Sequence, residues 1–269
     1  MPDTLPGDLQ LALDRTEHRR GHFGRPTFFF HETASTNDVA LAMADRGATE
    51  GTTVVALAQT SGRGRLGREW FSPAGAGLYV SIVCRNARAG SMVTLAAGVA
   101  VTDGIRNATG LPVSIKWPND IVVSDTATPG RRRKVAGILA EGATGSGGVQ
   151  HVVIGFGINL KPAAYPAAIA GRATSLEAEL GRPVERAGVL AETLCAFNEH
   201  LTALAAGERR TILNRWRERA PSAIGTRIAW TTDGHPRTGT TAGIDEDGAL
   251  LVKVDQRTER IIAGDITWN

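Results

Sequence analysis

The sequence predicts an α+β protein, a mixed β-sheet flanked by helices and followed by a small C-terminal β-barrel. Apolar, β-branched runs of strand length recur between residues 53 and 159, with few helical stretches among them. Two long helical patterns close that region. Beyond Pro221 the pattern changes to short strands separated by Asp-Gly turns. The chain accordingly divides into a loose polar leader (residues 1–26), a main domain (27–220) and a β domain (221–269).

In chain order, Ser35 or Thr36 is a natural N-cap for a helical stretch over residues 39–46, which Gly47 ends. Strands are expected over 53–58 and 78–83. The alanine-rich stretch 93–109 reads as a buried helix ended by Gly110 and Pro112. Pro118 lacks a backbone donor and biases Trp117 toward extended backbone, so the chain should bend there between strand pieces 113–115 and 121–123. Runs 134–141 and 149–159 read as buried strands, with glycines where a ligand or another backbone could come close. Helices over 185–206 and 208–219, separated by Gly207, complete the main domain. Strands at 226–231, 237–245, 249–255 and 259–263 build the C-terminal one.

With 269 residues, 42% of them apolar and 21% charged, the chain can bury a substantial core in one large domain and a small one. No apolar run approaches a membrane span, and the N-terminus carries no signal-peptide pattern. Two cysteines, Cys84 and Cys195, suggest neither a disulfide framework nor a metal site. A cytoplasmic protein is the simplest reading. Net charge is only +3, and residues 1–25 are too short for a helix-turn-helix, so sequence-specific DNA binding is not expected.

The most chemically loaded segment is Gln59-Thr60-Ser61-Gly62-Arg63-Gly64-Arg65-Leu66-Gly67-Arg68-Glu69-Trp70. Glycine permits close backbone approach, and arginine offers a charged fork of donors for carboxylate or phosphate oxygens. The segment matches neither the P-loop nor the dinucleotide fingerprint. By itself it fits an anionic small molecule, a nucleic acid held through phosphates, or a solvated loop. Lys116-Trp117-Pro118-Asn119-Asp120 sets polar groups at the Pro118 bend, where Asn119 and Asp120 could equally close a turn. Lys134 stands at the mouth of its strand, and Asn159 ends the run Gly155-Phe156-Gly157-Ile158-Asn159.

Taken in order, Ser35-Thr36-Asn37, the Gly-Arg-Gly-Arg loop, Lys-Trp-Pro-Asn-Asp, Lys134-Val-Ala-Gly-Ile-Leu and Gly-Phe-Gly-Ile-Asn closely resemble the catalytic region of the biotin–protein ligases, also called biotin–[acetyl-CoA-carboxylase] ligases. The resemblance implies a class II synthetase-like catalytic domain and an SH3-like C-terminal domain. It implies activation of biotin by ATP, with Mg²⁺ arriving with the nucleotide, and transfer to a lysine of the biotin carboxyl carrier domain of acyl-CoA carboxylases. No metal-ligand spacing is visible. The carry-over gives Ser35, Thr36, Asn37 and Gln59 to the ureido ring and other polar parts of biotin. Arg63, Gly64 and Arg65 would close over carboxylate and α-phosphate, and Lys134 would stabilise charge there. Arg63, Arg65 and Lys134 are thus the expected catalytic groups. Arg65, Arg68, Trp70, Asn119, Asp120 and Asn159 would serve the nucleotide end. A monomer or weak homodimer is expected.

Lipoate and octanoyl transferases share the general fold but lack the paired Gly-Arg-Gly-Arg and Lys-Trp-Pro-Asn-Asp motifs. One departure from the family pattern is the long basic insertion between Val123 and Val135. Its Arg131, Arg132 and Arg133 read as a solvated charged loop, with recruitment of an acidic acceptor or phosphate as the alternative.

Overall fold

In the computed structural model, which describes residues 1–85, 91–124, 130–145, 148–232, 234–264 and 266–268, the elements run as follows. Helices α1 (Gly7–Arg15) and α2 (Glu17–Arg20) precede β1 (Thr27–Phe30), α3 (Thr36–Asp45), β2 (Thr53–Ala56), β3 (Gly77–Cys84) and α4 (Ser91–Thr109). Strands β4 (Ser114–Lys116), β5 (Asp120–Ser124), β6 (Arg132–Gly145) and β7 (Gly148–Asn159) follow. Four helices come next: α5 (Ala167–Ala170), α6 (Leu176–Leu180), α7 (Arg186–Ala205) and α8 (Arg209–Arg219). The C-terminal part holds β8 (Ile224–Thr232), β9 (His235–Ile244), β10 (Leu250–Val254), β11 (Arg257–Ile261) and β12 (Ile266–Trp268).

Strands β1 to β7 form one sheet in the order β1-β2-β3-β7-β6-β5-β4. Only β1 and β2 pair in parallel, with α3 as their crossover, so the sheet is mixed as the sequence predicts. Side chains alternate across a strand, and β7 shows what that achieves. Ile154, Phe156 and Ile158 point into the large core beneath α4 and α7, and Phe156 stacks on Phe197 of α7 with centroids 5.4 Å apart. On the opposite face, Val153 joins Ala40 and Ala44 of α3 in a smaller cluster. Gly155 and Gly157, also on that face, leave room for what lies above the sheet.

The second sheet, β11-β10-β9-β8-β12, is antiparallel throughout. The turn Pro221–Ala223 separates α8 from β8, and we take the domain boundary there. The two parts are joined by Trp117, whose buried indole N–H donates to the Gly248 carbonyl at 3.0 Å. Among the described residues, no helix is long and apolar enough to cross a membrane.

Two expectations need correction. Residues 1–26 are not a loose leader. Leu9 and Leu13, one helical turn apart, are buried with Phe23, and bidentate pairs Arg186–Asp8 and Arg19–Glu192 fasten α1 and α2 to α7. Asp3 also pairs with Phe29 on the outer edge of β1. The basic insertion is not wholly loop either. Residues 125–129 lie outside the described residues, but Arg132 and Arg133 belong to β6 and pair with Ser124 and Val123 of β5. Their long side chains reach partners on opposite sides: Arg133 pairs with Glu179 at 3.0 Å, and the Arg132 guanidinium lies 5.9 Å from the Trp268 ring.

A buried ionic cluster locks the helices together. Asp103 of α4 accepts from His200 of α7 at 2.9 Å and from Arg219 of α8 at 2.7 Å. Burial alone would raise the Asp103 carboxyl, but hydrogen bonds from His200 and Arg219 outweigh it and hold the group below the usual carboxylate range. A depressed carboxylate adds stability above its unfolded pKa, and that stability is lost as pH falls through the folded value. Asp103→Asn should therefore cost about 3 kcal/mol at neutral pH and flatten the acid limb of stability, as measured by urea unfolding at neutral and strongly acidic pH.

Candidate active site

The floor of the site is a pair of facing glycines. Gly137 of β6 lies opposite Gly157 of β7, and Leu139 lies opposite Gly155. A methyl group built at Gly157 would sit 2.2 Å from Trp70 Nε1, and one at Gly137 would sit 2.9 Å from the same indole. The Trp70 ring can rest on the sheet only because neither strand carries a side chain there. A methyl group at Gly155 would sit 2.0 Å from Asn37 Oδ1. These glycines are the close-approach positions that the two strand runs predict.

At one end of the floor stands the N-terminus of α3. Ser35 caps it, accepting from the Asp38 N–H at 3.4 Å. Gln59 Oε1 accepts from the Thr36 N–H and hydroxyl at 2.9 and 3.0 Å, while Gln59 Nε2 donates to Ser72 Oγ at 2.9 Å. Ser81 Oγ lies 2.5 Å from Asn37 Oδ1 and 2.9 Å from Thr36 Oγ1, and can donate to either. Asn37 Nδ2 donates to Glu141 at 2.7 Å. Ser35, Thr36 and Asn37 are buried, so donors and acceptors are fixed in direction by one another.

The arginine-glycine segment folds into a small hairpin. The Gly64 N–H donates to the Arg68 carbonyl and the Trp70 N–H to the Gly62 carbonyl, while Leu66 at the exposed tip has φ 58°. Arg63 reaches back from the hairpin base to Asp38 and Glu141, both at 2.7 Å. Arg65 points the other way and donates to Asn119 Oδ1 at 3.2 Å.

Asn119 and Asp120 do close a turn, between β4 and β5. Asn119 Nδ2 donates to the Ile138 carbonyl, and the Ile138 N–H donates to the Asn119 carbonyl. Asp120 pairs with Lys134 at 2.5 Å, and the Lys134 ammonium lies 4.9 Å from the centre of the Trp70 ring. A register shift between β5 and β6 sets Lys134 opposite Val122 while Ala136 faces Ile121. The Lys134 backbone is held on its other side by Arg172 and Thr174. Asn159 Nδ2 donates to the Thr174 carbonyl, so this asparagine braces the same segment.

All thirteen site residues expected from the sequence line one cavity of about 720 Å³, within the usual range for small-ligand sites. Sequence reasoning missed two polar residues that brace this network without lining the cavity, and others that line it. Ser81 was hidden as a polar residue inside an apolar strand, and Glu141 as the charged end of one. Lys116 and Trp268 also line the cavity, the latter from the C-terminal sheet; burial pulls the Lys116 ammonium below the usual lysine range. Among the described residues, no group of three or more His, Cys, Asp or Glu side chains is arranged to hold a metal.

Residues 29–159 match the Biotin/lipoate A/B protein ligase family, and residues 223–267 match the Biotin protein ligase C terminal domain. The chain is 33% identical to the bifunctional ligase/repressor BirA of Bacillus subtilis, over 97% of this chain and 79% of that protein. It belongs to the biotin protein ligase family. The biotin–[acetyl-CoA-carboxylase] ligase of Paracoccus denitrificans is 35% identical over 82% of this chain and 91% of its own. Among solved structures, the biotin protein ligase from Aquifex aeolicus in complex with biotin and ATP superposes with a TM-score of 0.77. It is 26% identical and covers 91% of this chain and 99% of its own. Membership of the biotin protein ligases accounts for the pairing of a mixed-sheet domain with a small SH3-like one.

The glycine floor gives a direct check. Gly157→Ala should force Trp70 off the sheet and destabilise the protein by about 1–3 kcal/mol. Gly188→Ala, at a helical position where an added methyl meets nothing within 4 Å, should stabilise it by about 0.5–1 kcal/mol. Thermal denaturation of the two variants checks both signs.

Proposed function

We propose that the protein activates biotin with ATP to biotinyl-5′-AMP and transfers the biotinyl group to a lysine of a biotin carboxyl carrier domain. The observation that carries this reading is convergence in one cavity of a fixed polar network, a hairpin bearing arginines and Lys134 on a glycine floor. The family relationship and the biotin and ATP bound in the Aquifex aeolicus structure support it.

In the first step a carboxylate oxygen of biotin attacks the α-phosphorus of ATP. The bond from that phosphorus to the bridging oxygen breaks, and pyrophosphate leaves with its electron pair. Two anions must meet, so cationic donors have to offset their repulsion. Arg65 and Lys134 flank the turn at Asn119 and Asp120 and take this role. Lys134 exchanges its Asp120 carboxylate partner for a ligand oxygen, and the ion pair holds the ammonium ready at that position. Preorganised donors of this kind stabilise charge spread over the phosphoryl oxygens without reorganising at the moment of reaction. In the second step the acceptor lysine nitrogen attacks the acyl carbon, the carbon–oxygen bond breaks, AMP leaves and the amine loses a proton.

The network of Ser35, Thr36, Asn37 and Gln59 receives the ureido ring, whose alternating N–H and C=O groups need donors and acceptors in fixed positions. Trp70 supplies an apolar wall. Gly64 permits close backbone approach, and Arg68 with Asn159 borders the nucleotide end. Mg²⁺ arrives with ATP as part of the substrate.

ATP–pyrophosphate exchange with purified protein tests this reading. Exchange should require biotin and should not occur with lipoate. Lys134→Ala should lower it by roughly 10²–10³-fold, as removal of one oxyanion donor does. Exchange with lipoate alone would move the protein to the transferase branch. Arg65→Ala should shorten retention of the adenylate by exposing the anhydride to water; retention equal to wild type would remove the gating role of the hairpin.

A further inference from the structure

Glu141 joins the α3 network and the arginine hairpin through a single carboxylate oxygen. Its Oε2 accepts from Asn37 Nδ2 and from Arg63, each at 2.7 Å. Asn37 belongs to the buried network at the start of α3, while Arg63 is the first arginine of the hairpin. Asp38, the neighbour of Asn37, is the second carboxylate on Arg63, also at 2.7 Å. Glu141 stands on the same strand face as Gly137 and Leu139, opposite Val153, where the sheet rises past the floor.

We propose that Glu141 is a positioning residue that couples the ring-binding network to closure of the arginine hairpin. This rests on the biotin-activating function proposed above. A carboxylate has no donor, so it forces the Asn37 amide to present Nδ2 toward Glu141 and Oδ1 toward Ser81. The reversed amide would set an oxygen against the carboxylate. The orientation of Asn37, and with it the pattern offered to a ring of N–H and C=O groups, is therefore fixed by a side chain outside the ring subsite. The same carboxylate oxygen holds the base of the hairpin through Arg63. Arg63 is thereby a tether of the loop rather than a donor to the reacting anions, because both of its partners lie on the α3 side. A ligand that orders Asn37 strengthens the acceptor site on which Arg63 closes, and the hairpin in turn covers the ligand.

Two variants separate the couplings. Glu141→Ala removes both contacts. Glu141→Gln keeps an amide oxygen for Asn37 Nδ2 but removes one of the two carboxylate charges that hold Arg63, leaving Asp38 alone. For wild type and both variants, three quantities are measured: the biotin KM in ATP–pyrophosphate exchange, the half-life of enzyme-bound adenylate and the thermal midpoint. Glu141→Ala should raise the biotin KM roughly ten-fold or more and shorten the half-life. Glu141→Gln should recover most of the KM yet still lose adenylate quickly. A split of this kind would not arise from general destabilisation. Identical behaviour of the two variants, wild-type values in both, or changes that only follow the thermal midpoint would overturn the coupling while leaving the biotin reading intact. Wild-type protein without biotin-dependent exchange would overturn both.

Discussion

Everything at the site depends on the two-residue period of β6 and β7. One face of these strands carries Ile138, Ile154, Phe156 and Ile158, which anchor the sheet in the large core. The other face carries Gly137, Gly155 and Gly157, which let an indole and an asparagine lie directly on backbone. The apolar face supplies the rigidity that makes the bare face usable, since a glycine-rich strand without such packing would be weak. A shift of register by one residue would turn the aliphatic side chains into the cavity and the glycines into the core. Folding and site construction are thus one requirement on the same residues.

The cations of the site are held by groups the protein supplies. Lys134 has Asp120, Arg63 has Asp38 and Glu141, and Arg65 has the amide oxygen of Asn119. These partners differ in kind. Two carboxylates hold Arg63, so its displacement would leave two anions facing each other. The link from Arg65 to Asn119 Oδ1 runs to a neutral acceptor, and such a hydrogen bond is weaker than one between ions. Lys134 has one carboxylate and the face of an aromatic ring.

Much of this was legible in the sequence because its signals are local. The cap at Ser35, the glycines of the two strand runs, the bend at Pro118 and the helix 93–109 each follow from neighbouring residues, and every residue singled out for the site lines the cavity. What the sequence hid is long-range. Helix α1 is only nine residues long, and it is fixed by α7 about 180 residues away through Asp8 and Arg186. Strand β1, a threonine followed by three phenylalanines, gains its meaning from pairing with β2. Arg63 looks like its loop neighbours in sequence, and only the fold gives it Glu141, 78 positions away. Trp268 enters the site from the second sheet, which no spacing within the first could indicate.

The hydrogen bond from Trp117 to Gly248 carries a consequence for how the molecule is divided. Trp117 is the second residue of the Lys-Trp-Pro-Asn-Asp turn, so the segment that sets Asn119 and Asp120 takes its bearing from a turn of the C-terminal sheet. The small domain is therefore part of the active-site scaffold rather than an appendage beside it. Cutting the chain at the boundary would strip an indole donor of its acceptor and open Lys116 to water at the same stroke. The main domain alone would be a different environment for the same side chains, because the indole of Trp117 takes its acceptor from a residue 131 positions further along the chain.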